Sequence, residues 1–362
     1  MKKKIALLLI MTLIIGAFTS CANVKDNTKE KKIKIVTTIF PEYDWVKNIV
    51  GENNENVEIE ILQKNGVDLH SYEPSADDMA KIAEADIFVY VGGHSDKWAK
   101  DALKNVTNKN QRIINLFDVL GDDVKPLKMV DGMEHHHNHE EGEHHEEHKE
   151  DEHHHDHEEG EHHEEHKEDE HHHDHEEGEH HHKDEADEHV WLSIKRTSKA
   201  VDALAKTIAE VDSKNKDMYI SNAEAYQNEL TALDSKFEFA AMSGKRDTIL
   251  FGDRFPFFYM ADDYGLDYYA AFTGCSAESE ASFETVAFLA NKIDELGINN
   301  VLTIEKRSHK IPETIIENTK NKNQSILEMN SMQSVTEKEI NDGITYIGAM
   351  KANLDILKKA LN

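Results

Sequence analysis

Of the 25 histidines in this 362-residue chain, 21 fall between His135 and His182, and almost everything between them is Glu, Asp, Lys or Gly. The pattern has a period of eighteen residues: His135, His136, His137 and His139 return as His153, His154, His155 and His157, then as His171, His172, His173 and His175. Neutral imidazoles beside carboxylates suit borderline divalent ions, zinc above all, with copper and nickel as competitors. Between His135 and His182 no apolar side chain is available to offset the entropy of ordering the backbone, so residues 134–188 are expected to form a disordered, metal-capturing loop. A solvated acidic spacer is the plain alternative, and three copies of one histidine cluster argue against it.

The formal charge of −31 is concentrated in that stretch, where 26 acidic residues face 3 lysines, and the remainder, near −8, is ordinary. An acidic surface argues against nucleic acid, which needs clustered Lys and Arg. Only His70, His94, His189 and His309 lie outside the tract, and the cysteines are Cys21 and Cys275. Zinc would accept a thiolate, but a lone cysteine is more often buried and inert, and Cys275 is read that way.

The four solitary histidines need elements to position them. Ile33 to Ile39, Val57 to Leu62, Ile87 to Val91 and Arg112 to Leu116 read as strands, separated by helices from Glu42, Ser75 and Ser95. Beyond the tract, Trp191 to Val211 and Lys214 to Met242 carry long helical periodicity. The second segment is too long for a crossover and reads as a rigid strut. Strands are then expected at Thr248 to Phe251, Asn300 to Ile304 and Ser325 to Met329, with helices at Phe255 to Tyr264, Ser282 to Leu296, Ile311 to Asn321 and about Ile340 to Leu361. Strands alternating with helices imply parallel sheets, hence two α/β lobes joined by one long helix. The boundaries are 33–213 for the first lobe, 214–242 for the linking helix and 243–362 for the second lobe. His70, His94 and His189 then follow the second, third and fourth strands, and His309 follows the strand ending at Ile304. In open parallel sheets the ligand crevice lies beyond the carboxyl ends of the strands. His70 and His189 from one lobe and His309 from the other would make a zinc site that closes the lobes on each other. His94, beside Gly92-Gly93, is a weaker ligand candidate.

The N-terminus reads as an export signal over 1–20: Met1-Lys2-Lys3-Lys4, the apolar run Ile5 to Phe18, then Thr19-Ser20-Cys21. The apolar run is short for a membrane span. The Ser20-Cys21 junction resembles a bacterial lipobox, which would lipidate Cys21 and leave 21–32 as a tether to the membrane. An ordinary signal with an incidental cysteine is the alternative.

Val36-Thr37-Thr38-Ile39-Phe40-Pro41, His70-Ser71-Tyr72-Glu73-Pro74, Glu188-His189-Val190-Trp191-Leu192 and Tyr264-Gly265-Leu266 together resemble the zinc and manganese solute-binding lipoproteins of bacterial ABC importers. The resemblance spans Lys32 to Leu361. It implies two α/β lobes on one long helix, His70 and His189 as first and second ligands, and zinc preference from the histidine-rich insertion. It places the third ligand at Arg254, whose guanidinium has no lone pair, so Asp253 is the substitute. It places the fourth at His309, four residues after Glu305, and imidazole there favours zinc over manganese. Glu73 and Glu305 are then candidates to orient imidazole N–H groups, with Arg254 pairing one of them.

The resulting expectation is a monomeric, lipid-anchored, extracytoplasmic zinc receptor that serves an ABC importer permease and carries out no catalysis. A surface zinc buffer built on the tract and a manganese-preferring receptor are the alternatives. The inverted zinc-protease pattern at His144 to His148, repeated from His162, is discounted because this composition supplies no packed helix.

Overall fold

The computed structural model describes residues 32–51, 54–133, 186–276 and 280–362, so the export signal, Cys21 and the histidine tract through 185 lie outside the described residues. Strands β1 (Ile33–Thr37), β2 (Val57–Ile61), β3 (Ile87–Tyr90) and β4 (Arg112–Asn115) form one all-parallel sheet in the order β2-β1-β3-β4. Helices α1 (Phe40–Val50), α2 (Ala76–Glu84), α3 (Lys97–Ala102) and α4 (Leu116–Leu120) connect and follow these strands. The four residues of β3, Ile-Phe-Val-Tyr, are buried on both faces, as a strand covered by helices requires. Helix α2 opens on a capping box, with Ser75 and Asp78 each bonding the other's backbone.

Helix α5 (Ile194–Val211) leads into α6 (Lys216–Ser243), a 28-residue helix. Its buried residues Tyr219, Ala223, Tyr226, Leu230, Leu233, Phe237 and Ala240 recur at spacings of four and three, a single stripe down one face. That stripe packs against α5, α1 and the C-terminal helix, so one core runs through both lobes along the strut. The second sheet is also all parallel, ordered β6-β5-β7-β8 from β5 (Thr248–Phe255), β6 (Asp267–Thr273), β7 (Asn300–Ile304) and β8 (Ser325–Met329). Its helices are α7 (Phe258–Tyr264), α8 (Phe283–Leu296), α9 (Lys310–Glu317), α10 (Glu337–Asn341) and α11 (Tyr346–Ala360). Among the described residues no helix is long and apolar enough to cross a membrane.

Two departures from the sequence reading bear on the site. Strand β5 runs on to Phe255, with a register shift against β6 between Phe251 and Arg254, which carries Arg254 inward. Strand β6 was not expected at all, and it delivers the chain to Gly274 and Cys275. The final helical stretch divides into α10 and α11 at Gly343, whose φ of +90° interrupts the helix.

Candidate metal centre

His70 sits in a single 3₁₀ turn, Leu69–Ser71, after β2. Asp68 caps that turn: its Oδ1 accepts the His70 backbone N–H at 3.0 Å. The His70 ring Nδ1 lies 2.8 Å from Ser95 Oγ and 3.3 Å from Glu188 Oε2. Ser95 Oγ itself donates to Glu188 Oε2 at 2.5 Å, so it accepts from His70, and His70 Nδ1 carries the proton. His189 is fully buried just before the turn Val190–Leu192, and its Nδ1 lies 2.9 Å from Asp187 Oδ1. A carboxylate only accepts, so this Nδ1 is protonated as well. The two Nε2 atoms therefore present lone pairs to each other, and they stand 3.2 Å apart. Two imidazoles on one tetrahedral zinc, with Zn–N bonds of about 2.0–2.1 Å, place their nitrogens about 3.3 Å apart.

Neighbouring glycines admit these groups. Gly93 has φ +84°, and a Cβ there would come within 2.4 Å of Glu188 Oε1. A Cβ on Gly274 would fall 2.8 Å from His189 Cε1, so only a bare backbone passes beside the ring. Burial pushes the Glu188 carboxyl up, but His70 and the donors of Ser95 outweigh it and hold the group below its ordinary range. Cys275 completes the cluster from the opposite lobe: one ligating atom each of His70, His189 and Cys275 lie within 4.8 Å of one another. Its residue keeps partial exposure, while burial of the thiol and the nearby Asp187 and Glu188 charges push it well above the ordinary value.

The other expected site residues stand elsewhere. His309 is exposed at the N-terminus of α9; the loop from Glu305 turns outward through Lys306, whose φ is +60°, and carries His309 to the surface. His94 is exposed in the turn before α3, where its carbonyl accepts Lys97 N–H at 3.2 Å. Asp253 is buried, but its carboxylate is occupied by Thr303 Oγ1 at 2.9 Å and the Arg254 N–H at 2.8 Å. Glu73 is exposed and lines a surface cleft whose lining, among the described residues, includes neither imidazole. Glu305 accepts from Ser331 N–H and Oγ, both at 2.7 Å, and so ties β7 to the end of β8 rather than orienting a histidine. The imidazole-orienting groups are instead Asp187, Glu188 and Ser95. Arg254 pairs neither Glu73 nor Glu305; its Nη2 meets Asp68 Oδ2 at 2.5 Å. Burial raises the Asp68 carboxyl, and the guanidinium with His70 brings it below its ordinary range.

Pro126 and Ala186 form an antiparallel bridge, and Asp187 N–H donates to Lys125 O at 3.1 Å. The segment after α4 thus runs alongside the stretch that leads into His189.

Residues 35–360 match the family described as the periplasmic component A of the zinc-uptake complex, ZnuA. The chain belongs to that ZnuA family. Among relatives, the zinc-binding protein AdcA of Streptococcus pyogenes is 28% identical over 359 residues, 99% of this chain, which spans 61% of that relative's length. The high-affinity zinc uptake system protein ZnuA of Bacillus subtilis is 27% identical over 335 residues, covering 92% of this chain and 89% of the relative. The Zn(II)-bound ZnuA-like domain of Streptococcus pneumoniae AdcA superposes with a TM-score of 0.64 at 25% identity, over 91% of this chain and 99% of the domain. A metal-dependent lipoprotein of Bacillus subtilis, YcdH, shares the fold with a TM-score of 0.66 at 24% identity. These ZnuA-type proteins have the architecture found here, two α/β lobes on a long helix.

Proposed function

We propose that this chain is an extracytoplasmic receptor that captures zinc between its lobes and passes it to the permease of an ABC importer. The observation that carries the reading is the facing Nε2 pair of His70 and His189, both turned lone pair inward by proton-donating Nδ1 atoms. Two acceptors at that distance repel unless a cation lies between them. The imidazole donors favour zinc over manganese, which prefers oxygen ligands. Membership in the ZnuA family supports the transport role, and a lipoprotein relative in Streptococcus pneumoniae supports anchoring through Cys21. The test is competition of the chelator-stripped full chain against a chromophoric zinc chelator. One tight ion is expected, lost together in His70→Ala and His189→Ala. Retention of the tightest ion in both variants would overturn the assignment and favour a buffer built on the tract.

A further inference from the structure

Resting on that receptor reading, we propose that Cys275 is the third ligand of the captured ion, positioned by Arg254, so that the site is an imidazole-imidazole-thiolate set selective for thiophilic ions. His70 and His189 both come from the first lobe, and two ligands do not close a zinc site. From the second lobe, among the described residues, only Cys275 brings a ligating atom into the same cluster, within 4.8 Å. On tetrahedral zinc, Zn–S of about 2.3 Å and Zn–N of about 2.05 Å put nitrogen and sulfur about 3.6 Å apart, a shift of order 1 Å from this separation. The preceding Gly274 backbone already lies against the His189 ring, so the loop needs only that shift to reach the ion.

Arg254 stands where the family resemblance leads one to expect a metal ligand, and it cannot ligate. What it does is join the two ligand loops. Nη1 donates to Ser276 O at 3.1 Å, next to Cys275, and Nη2 donates to Asp68 Oδ2, whose other oxygen holds the His70 N–H. One guanidinium, 4% exposed, thereby fixes the loop of each lobe relative to the other. Its planar fork suits this double task, and lysine would keep the charge but lose one arm. When the ion binds, the thiol proton leaves to water as the metal–sulfur bond forms, and no electron changes hands. A thiolate ligand favours Zn²⁺ and Cu⁺ and disfavours Mn²⁺.

The experiment uses the full chain stripped of metal and loaded with Co²⁺, whose thiolate-to-cobalt charge-transfer band in the near ultraviolet reports sulfur ligation. Imidazoles of the histidine tract produce no such band. The band is expected in the wild type and in Cys21→Ala, and is expected to vanish in Cys275→Ala. Arg254→Met should weaken the band and raise the zinc Kd about 10- to 100-fold, the usual effect of losing a partner that orients a ligand, with Arg254→Lys in between. Mn²⁺ should fail to displace Co²⁺ from the wild type. If Co²⁺ binds in a His70-dependent way with no charge-transfer band, Cys275 is not a ligand and this proposal falls while the receptor reading stands. A full band and unchanged Kd in Arg254→Met would remove the positioning role. Absence of any His70-dependent ion would overturn both readings.

Discussion

Asp187 holds His189 twice with a single oxygen: Oδ1 accepts the backbone N–H and the ring Nδ1, each at 2.9 Å. Ring orientation and tautomer are thus set by one carboxylate two residues away. Asp187→Ala should raise the zinc Kd about 10- to 100-fold. Asp187→Asn, which keeps an accepting oxygen, should be milder. Chelator competition checks both, and equal affinities for the two variants would refute the orienting role.

Gly274→Ala tests the close approach of the second lobe to His189. The added methyl would sit 2.8 Å from His189 Cε1, against a side chain that is fully buried and cannot retreat. Overpacking of this kind costs about 1–3 kcal/mol, so thermal unfolding should occur several degrees lower. Zinc affinity should fall with it. A stable variant with wild-type affinity would mean that the loop is free to move aside.

His309→Ala should leave zinc affinity within about twofold of wild type, because the ring is exposed on the N-terminus of α9 and substitutions away from special features have little effect. Isothermal titration of the two proteins side by side provides the comparison. A loss of ten-fold or more would return His309 to the site.

Asp44 supplies a pH dependence separate from the metal. Its buried carboxylate accepts Tyr346 N–H at 3.0 Å, joining α1 to the first turn of α11. Burial pushes it from the ordinary 3.8 to about 6, against the opposing effects of that bond, Lys47 and Tyr226. A raised carboxyl means that the folded state holds the proton more tightly than the unfolded chain. The contribution of Asp44 to stability therefore falls as pH rises from about 4 to about 6, and its cost, roughly 3 kcal/mol, is complete above that window. Asp44→Asn should be more stable relative to wild type at pH 7.5 than at pH 4.5, measured by denaturant unfolding. A constant difference between the two proteins would exclude the titration of Asp44 as the cause.

Much of the architecture was legible because it rests on periodicity. The stripe from Tyr219 to Ala240 repeats at helical spacing, and β1, β3 and β7 are apolar runs between helix signals. His70 and His189 stood out because each follows a strand in a parallel sheet. Strand β6 was lost although Leu266 to Phe272 is rich in Tyr, Phe and Ala after the turn glycine Gly265, a signal of aromatic strand formers short of strict alternation. Without β6, Cys275 had no place near the cleft and read as a solitary thiol. His309 misled for the converse reason. Its distance from a strand end was right, but a backbone reversal at Lys306 that sequence spacing does not encode sends it outward. Likewise, the partner of Arg254 is Asp68, 186 residues earlier, a pairing that only the packing of one lobe on the other creates.

The bridge between Pro126 and Ala186 works as a clasp beside the turn that carries His189. Asp187 N–H is held by Lys125 O next to that bridge while its carboxylate holds the His189 ring, so the placement of the buried imidazole is anchored to the segment that follows α4.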